Sequence, residues 1–294
     1  MIKLKTFGSF TAGNDLTSVQ EGAWRSEKLE KLFVYLAMNR NRGVCIEDIS
    51  EAIWQVEEET DNPVGALKNL AYRLRKALRD ASFGEECIVS VRGGLYKWND
   101  DVEVTIDVEE FDRYINEAEM AFCRSKETAI ESYEKAIALY HGDFLPLRTD
   151  THWFMTLNAF YHSRYVNTVK ALAKLYIDTG CYEKLEQLCT RAIVYERSDE
   201  QIYSYLIVAR MRTKKVQMAF DTYETAKAIM DKDLGVRKTV MLNKVYEELL
   251  SVTKGASSYN IDEVKDDISE ESMNGVFMCG YPVFKEIYQL EVRK

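Results

Sequence analysis

Residues 62–78 read NPVGALKNLAYRLRKAL, and the two sides of this stretch have opposite chemistry. At about 100° per residue, Leu67, Leu70, Ala71, Leu74 and Leu78 fall on one side. Lys68, Asn69, Tyr72, Arg73, Arg75, Lys76 and Arg79 fall on the other. The spacing predicts a helix capped by Asp61 or Asn62, with Pro63 at its first position, where a missing N–H leaves no bond unmade. Its leucine side must pack on a domain. An ordinary solvated helix face mixes charges of both signs, yet here no acid follows Asn62 before Asp80. That cationic stripe sits in a chain of 294 residues with a formal net charge of −9.

Toward the N-terminus, residues 1–10 alternate weakly and predict one or two short strands ending at Gly8. From Ser26, a plausible cap, Leu29, Leu32, Phe33, Leu36 and Ala37 follow a helical period. RNRG (40–43) breaks that helix. Ile46, Ile49, Ile53 and Trp54 predict a second, shorter one, and EEETDN (57–62) is a polar loop. On the far side, CIVSVRGGLYKW (87–98) holds two β-rich runs, Ile88–Val91 and Leu95–Trp98, around Gly93-Gly94. This is a hairpin signal, with Arg92 and Lys97 near its turn. Two helices, a basic helix and a hairpin give the order of a winged helix-turn-helix. In that geometry the second helix of the turn lies in the major groove of a duplex and the hairpin reaches an adjacent minor groove.

From Val108 to Leu250 the helical period is almost unbroken. A 34-residue offset aligns Leu172 with Leu206, Leu185 with Ala219 and Ala192 with Ala226, and sets Gly180 opposite Lys214. That period is the signature of tetratricopeptide-like helix pairs, which stack into a superhelix with a concave face. AIESYEKAIALY (129–140) resembles a further repeat helix. Tyr133, Trp153, Phe154, Tyr161 and Tyr165 are expected to be core. KGASSYNIDEVKDDISEES (254–272) is small, polar and acidic, a linker by composition. The strand-like and helical runs of 275–294 cannot form a core alone; packing on the repeats, a swap with a neighbour or, the favoured reading, the opening of a truncated further domain would each cover them.

Composition narrows the function. Three prolines and fourteen glycines favour long helices over a sandwich. Residues 1–100 carry 14 Lys/Arg against 15 Asp/Glu, 101–252 carry 20 against 25, and 253–294 carry 5 against 8. Only the first segment is near neutral, and its cations concentrate in and just after the 62–79 stretch. No run of 18 apolar residues and no secretion signal occur, so a cytoplasmic protein without a membrane partner is expected. Six cysteines without a CxxC pair are expected to be reduced and mostly buried. His141, His152 and His162 lack metal-ligand spacing. No phosphate loop, GxSxG or paired acids occur. No catalytic residue, metal or cofactor is therefore expected, and the chain is not read as an enzyme.

Five stretches in order, RLRKAL (73–78), IVSVRGGLYKW (88–98), DVEEFD (107–112), AIALYHGDFLP (136–146) and DLGV (233–236), resemble the Streptomyces antibiotic regulatory protein family of transcriptional activators. The resemblance implies a mainly α fold with a small β part. Residues 1–100 would be a winged helix-turn-helix of the OmpR type, and 101–252 a tetratricopeptide-like bacterial transcriptional activator domain. Residues 253–294 would be an acidic linker. The family wing usually reads Arg-Gly-x-Gly-Tyr. Here Leu95 stands at the second glycine, so either the turn differs locally or Gly94 supplies the positive φ.

The resemblance places the 62–80 helix in the major groove. Asn69 would pair with an adenine edge and Arg73 with guanine. Lys68, Tyr72 and Lys76 would hold phosphates, Arg92 would enter a minor groove, and Arg75 would tie the helix to its domain. Promoter DNA in duplex form, RNA polymerase and a second protomer in head-to-tail order are the implied partners. The alternative is a helical-repeat scaffold that binds a peptide or small molecule.

Overall fold

The computed structural model describes residues 1–55, 62–91, 94–233 and 239–256. Residues 1–246 form one compact unit. The chain opens with three strands, β1 (Ile2–Lys5), β2 (Thr11–Gly13) and β3 (Ser18–Gln20). Strand β1 runs antiparallel to β2, and β2 antiparallel to β3. Sequence periodicity located only the first of them, because β2 and β3 have three residues each, too few to display a period of two.

Helices α1 (Glu27–Met38), α2 (Ile46–Ile53) and α3 (Pro63–Asp80) follow. Ser26 stands at the α1 cap position, but its side chain accepts no capping bond. Trp54 ends α2 as its C-cap rather than extending its apolar face. Strands β4 (Ile88–Val91) and β5 (Leu95–Trp98) pair antiparallel, Ile88 against Trp98 and Val91 against Leu95. Strand β6 (Val104–Ile106) then returns to lie parallel to β1, completing a sheet of order β3-β2-β1-β6. This strand escaped the sequence reading because it is three residues long and its partner lies about a hundred residues away.

Beyond β6 the described chain is helical: α4 (Asp107–Ala121), α5 (Lys126–Leu139), α6 (His152–Thr179), α7 (Tyr182–Tyr195), α8 (Glu200–Arg212), α9 (Val216–Asp233) and α10 (Val240–Ala256). The protein is therefore mainly α with a small β part, a winged helix-turn-helix followed by tetratricopeptide-like repeats.

The 34-residue offset is visible in the turns. After α6, Gly180 N–H donates to Ile177 C=O and Cys181 N–H to Tyr176 C=O; after α8, Lys214 N–H donates to Met211 C=O and Lys215 N–H to Arg210 C=O. Both pivots are left-handed, Gly180 at φ +71° and Lys214 at φ +61°. The same motif is thus built with glycine in one copy and with lysine in the next.

One continuous apolar core runs from Ile2 to Ala209. Tyr133, Phe154, Tyr161 and Tyr165 are buried in it. Trp153 packs against it, half-buried. Five free cysteines are described. Contrary to expectation only Cys87 and Cys189 are buried; Cys45 and Cys181 are half-buried and Cys123 is exposed. The linker expected from residue 254 begins helical, since α10 continues to Ala256. The 57–61 loop segment, residues 234–236 of the DLGV stretch and the expected domain start at 275–294 lie outside the described residues. Among the described residues no helix is long and apolar enough to cross a membrane, and no group of His, Cys, Asp and Glu is arranged to hold a metal.

Candidate nucleic-acid interface

Helix α3 starts where its sequence dictates. The Asn62 side-chain oxygen accepts the Gly65 N–H at 2.8 Å, satisfying one of the donors that a helix start leaves open. A Cβ at Gly65 would lie 2.7 Å from the Asn62 amide nitrogen, so a larger residue there would make the capping side chain shift. Leu67, Leu70, Ala71, Leu74 and Leu78 are buried. At roughly 2–3 kcal/mol for each fully buried leucine, this face fixes the helix on α1 and α2. The opposite face is then left outward.

Lys68, Asn69, Tyr72, Arg73 and Lys76 are all exposed, Tyr72 at 65%. Among the described residues none of the five has a hydrogen-bond or ion-pair partner. Arg75 differs. It is half-buried, and its Nε donates to Ile88 C=O at 3.0 Å, tying α3 to the hairpin. The structure therefore gathers the predicted helix residues on one open face and separates Arg75 from them. Arg92 lies outside the described residues.

The hairpin is anchored on the segment just before α2. Val44 and Tyr96 exchange both backbone bonds, at 2.8 and 2.9 Å. Gly94 takes φ +79°, the second of the two arrangements that the Leu95 departure allows. The Leu95 side chain rests on Gly43, where a Cβ would come within 3.1 Å of its Cδ1. RNRG is thus more than a break, because its glycine makes room for the wing. Lys97 pairs with Asp100, so it is less free than the cations of α3.

Behind this face, the winged helix and the helical repeats are joined by buried polar groups. The Asp107 carboxylate accepts the Thr6 and Phe7 N–H groups at 2.7 and 2.9 Å and the Thr6 hydroxyl at 2.6 Å. Burial pushes this carboxyl up, while those donors and the Val108 N–H oppose the shift. Gly8 N–H donates to Asp143 C=O. A Cβ on Gly142 would lie 3.0 Å from Gly8 Cα, so the two segments touch at paired glycines. Sequence reasoning passed over Asp107 and Asp143 as site supports, although both stand in the DVEEFD and YHGDF stretches that carried the family resemblance.

Residues 106–250 match the bacterial transcriptional activator domain. The transcriptional regulator RedD of Streptomyces coelicolor is 23% identical over 238 residues, spanning 80% of this chain and 67% of RedD. Among solved structures, Mycobacterium tuberculosis EmbR, in complex with a low-affinity phosphopeptide, superposes with a TM-score of 0.65 at 18% identity. That match covers 93% of this chain and 72% of EmbR, and it extends the likeness in fold across both halves of the molecule. A winged helix continuous with a bacterial transcriptional activator domain defines a class of transcriptional regulators. Residues 106–250 carry that activator domain, and the chain as a whole is similar to transcriptional activators of the Streptomyces antibiotic regulatory protein type.

Proposed function

We propose that the protein is a cytoplasmic, sequence-specific activator that lays α3 in the major groove of promoter DNA. The observation that carries this reading is the face of α3. Lys68, Asn69, Tyr72, Arg73 and Lys76 stand exposed, with no described partner, on a helix whose other side is locked by leucines. Asn69 and Arg73 have the donor geometry for adenine and guanine edges. Lys68, Tyr72 and Lys76 are suited to phosphates, and Arg92 to a minor groove. The middle segment, with 20 Lys/Arg against 25 Asp/Glu, repels DNA that approaches by other faces.

The same reading divides the chain into a DNA-binding domain at 1–100, an activator domain at 101–252 and a tail at 253–294. RNA polymerase or a second protomer would meet the helical repeats. A selection from randomised duplexes, followed by binding across a salt series, tests it. A recurring motif and an affinity that falls steeply with salt are expected; no duplex binding at low salt would favour the scaffold alternative.

A further inference from the structure

Between α5 and α6 the chain crosses from the helical repeats onto the winged helix. Leu145, Arg148 and Thr151 are buried there, among exposed neighbours. Leu145 takes φ +40°, a left-handed conformation unfavourable for a residue with a Cβ. It is held there by its N–H bond to Thr6 C=O at 2.9 Å. The single turn that follows, Pro146–Arg148, aims Arg148 inward, where it is 9% exposed. Its Nη2 donates to Glu30 Oε2 at 2.6 Å and lies 3.3 Å from Glu21. Glu30 is itself 2% exposed and takes the Gly22 N–H on its other oxygen.

Two residues further on, Asp150 pairs with Lys31 of α1, also 2% exposed. Its second oxygen accepts from Gln55 Nε2 at 2.8 Å. The Thr151 hydroxyl donates to Ala52 C=O at 2.8 Å, on the last turn of α2. These bonds converge on α1 and on the end of α2, the point from which the chain leaves for α3. The Arg148–Glu30 pair is buried; such a pair adds little net stability, since desolvation offsets its attraction, but loss of one partner leaves a costly unpaired charge.

We propose that residues 145–151 form a strap by which the activator domain sets the angle of the winged helix, and that Arg148, Asp150 and Thr151 are positioning residues for DNA reading. The proposal rests on the DNA-binding function above. A recognition helix reads bases only when its tilt is fixed, whereas phosphate contacts carry no sequence information. Loosening the strap therefore lowers discrimination more than it lowers general DNA affinity.

The test uses the full chain. Glu30→Gln/Arg148→Met removes both charges of the buried pair together, leaving only the half-buried Glu21 without Arg148. Thr151→Val removes only the hydroxyl bond and serves if the double variant does not fold. Two quantities are measured: the ratio of affinities for the selected and a scrambled duplex at fixed salt, and amide hydrogen exchange over residues 27–55. The expected result is a ratio lowered about tenfold, within the range of coupling energies between distant sites. Scrambled-duplex affinity should be unchanged, and exchange should be faster in α1 and α2 but not in α8 and α9. Unchanged exchange overturns the strap. Faster exchange with an unchanged ratio overturns its role in reading, as does an equal loss on both duplexes. If the wild type binds no duplex, the DNA-binding reading fails by itself, and exchange alone still decides whether the strap exists.

Discussion

Arg73 and Arg75 are two residues apart on α3 and have different roles. Arg73 is exposed and has no described partner, whereas the Arg75 guanidinium reaches Ile88 C=O. Arg73→Ala should leave the melting temperature nearly unchanged, as surface substitutions do. On the cognate duplex it should cost roughly 1–3 kcal/mol and flatten base preference at one position. Lys76→Ala should weaken all duplexes alike and lower the salt slope by about one. Arg75→Ala should behave in reverse, losing roughly 1 kcal/mol of stability with the hairpin bond. Competition binding and thermal melts on the three variants separate these outcomes, and a stability loss at Arg73 equal to that at Arg75 would contradict the division. This much was legible in the sequence, because five apolar residues at helical spacing determine which side of α3 must turn away.

Among the elements, the paired turns after α6 and α8 allow a controlled comparison. Both close with the same two backbone bonds, one on Gly180 and the other on Lys214. A left-handed residue with a Cβ costs about 1–2 kcal/mol, part of which glycine would lose again to the greater freedom of the unfolded chain. Lys214→Gly should therefore stabilise the protein by roughly 0.5–1 kcal/mol. No atom lies within 4 Å of a Cβ built on Gly180, so Gly180→Ala should destabilise through the backbone alone, by about 1 kcal/mol. Denaturant melts of the two variants should move in opposite directions. The 34-residue offset was readable because each helix pair repeats its own local pattern, and that offset sets Lys214 against Gly180. Strands β2, β3 and β6 were not readable. Their stability comes from neighbours in the sheet, and a three-residue strand contains no period of its own.

For residues 1–246 as a whole, the decisive contacts join residues about a hundred positions apart: Thr6 with Asp107, Arg148 with Glu30, Lys31 with Asp150. No local pattern announces such pairs, so the sequence predicted the winged helix and the repeats as separate modules but not the bonds between them. His162 belongs to this joint. Its Nδ1 lies 2.7 Å from Asp143 and its Nε2 3.1 Å from Glu196, and the Asp143 carbonyl takes the Gly8 N–H from the N-terminal sheet. The hydrogen bond to Asp143, aided by Glu196 and opposed by burial, raises the imidazole from 6.5 to about 9. The folded state therefore holds this proton more tightly than the unfolded chain does. The stabilisation is complete below about pH 6.5, declines as pH rises, and is gone once the folded group titrates near 9. Other groups also titrate in that range, so the informative quantity is the difference between wild type and His162→Gln. That difference should be largest near neutrality and below, shrink through pH 7–9, and vanish above it. The protection factor of the Gly8 amide, taken against its base-catalysed intrinsic exchange rate, should fall over the same interval in the wild type alone. A difference that stays constant with pH would mean that His162 is neutral in the fold and that Asp143 is held by its other partner, the Tyr140 hydroxyl.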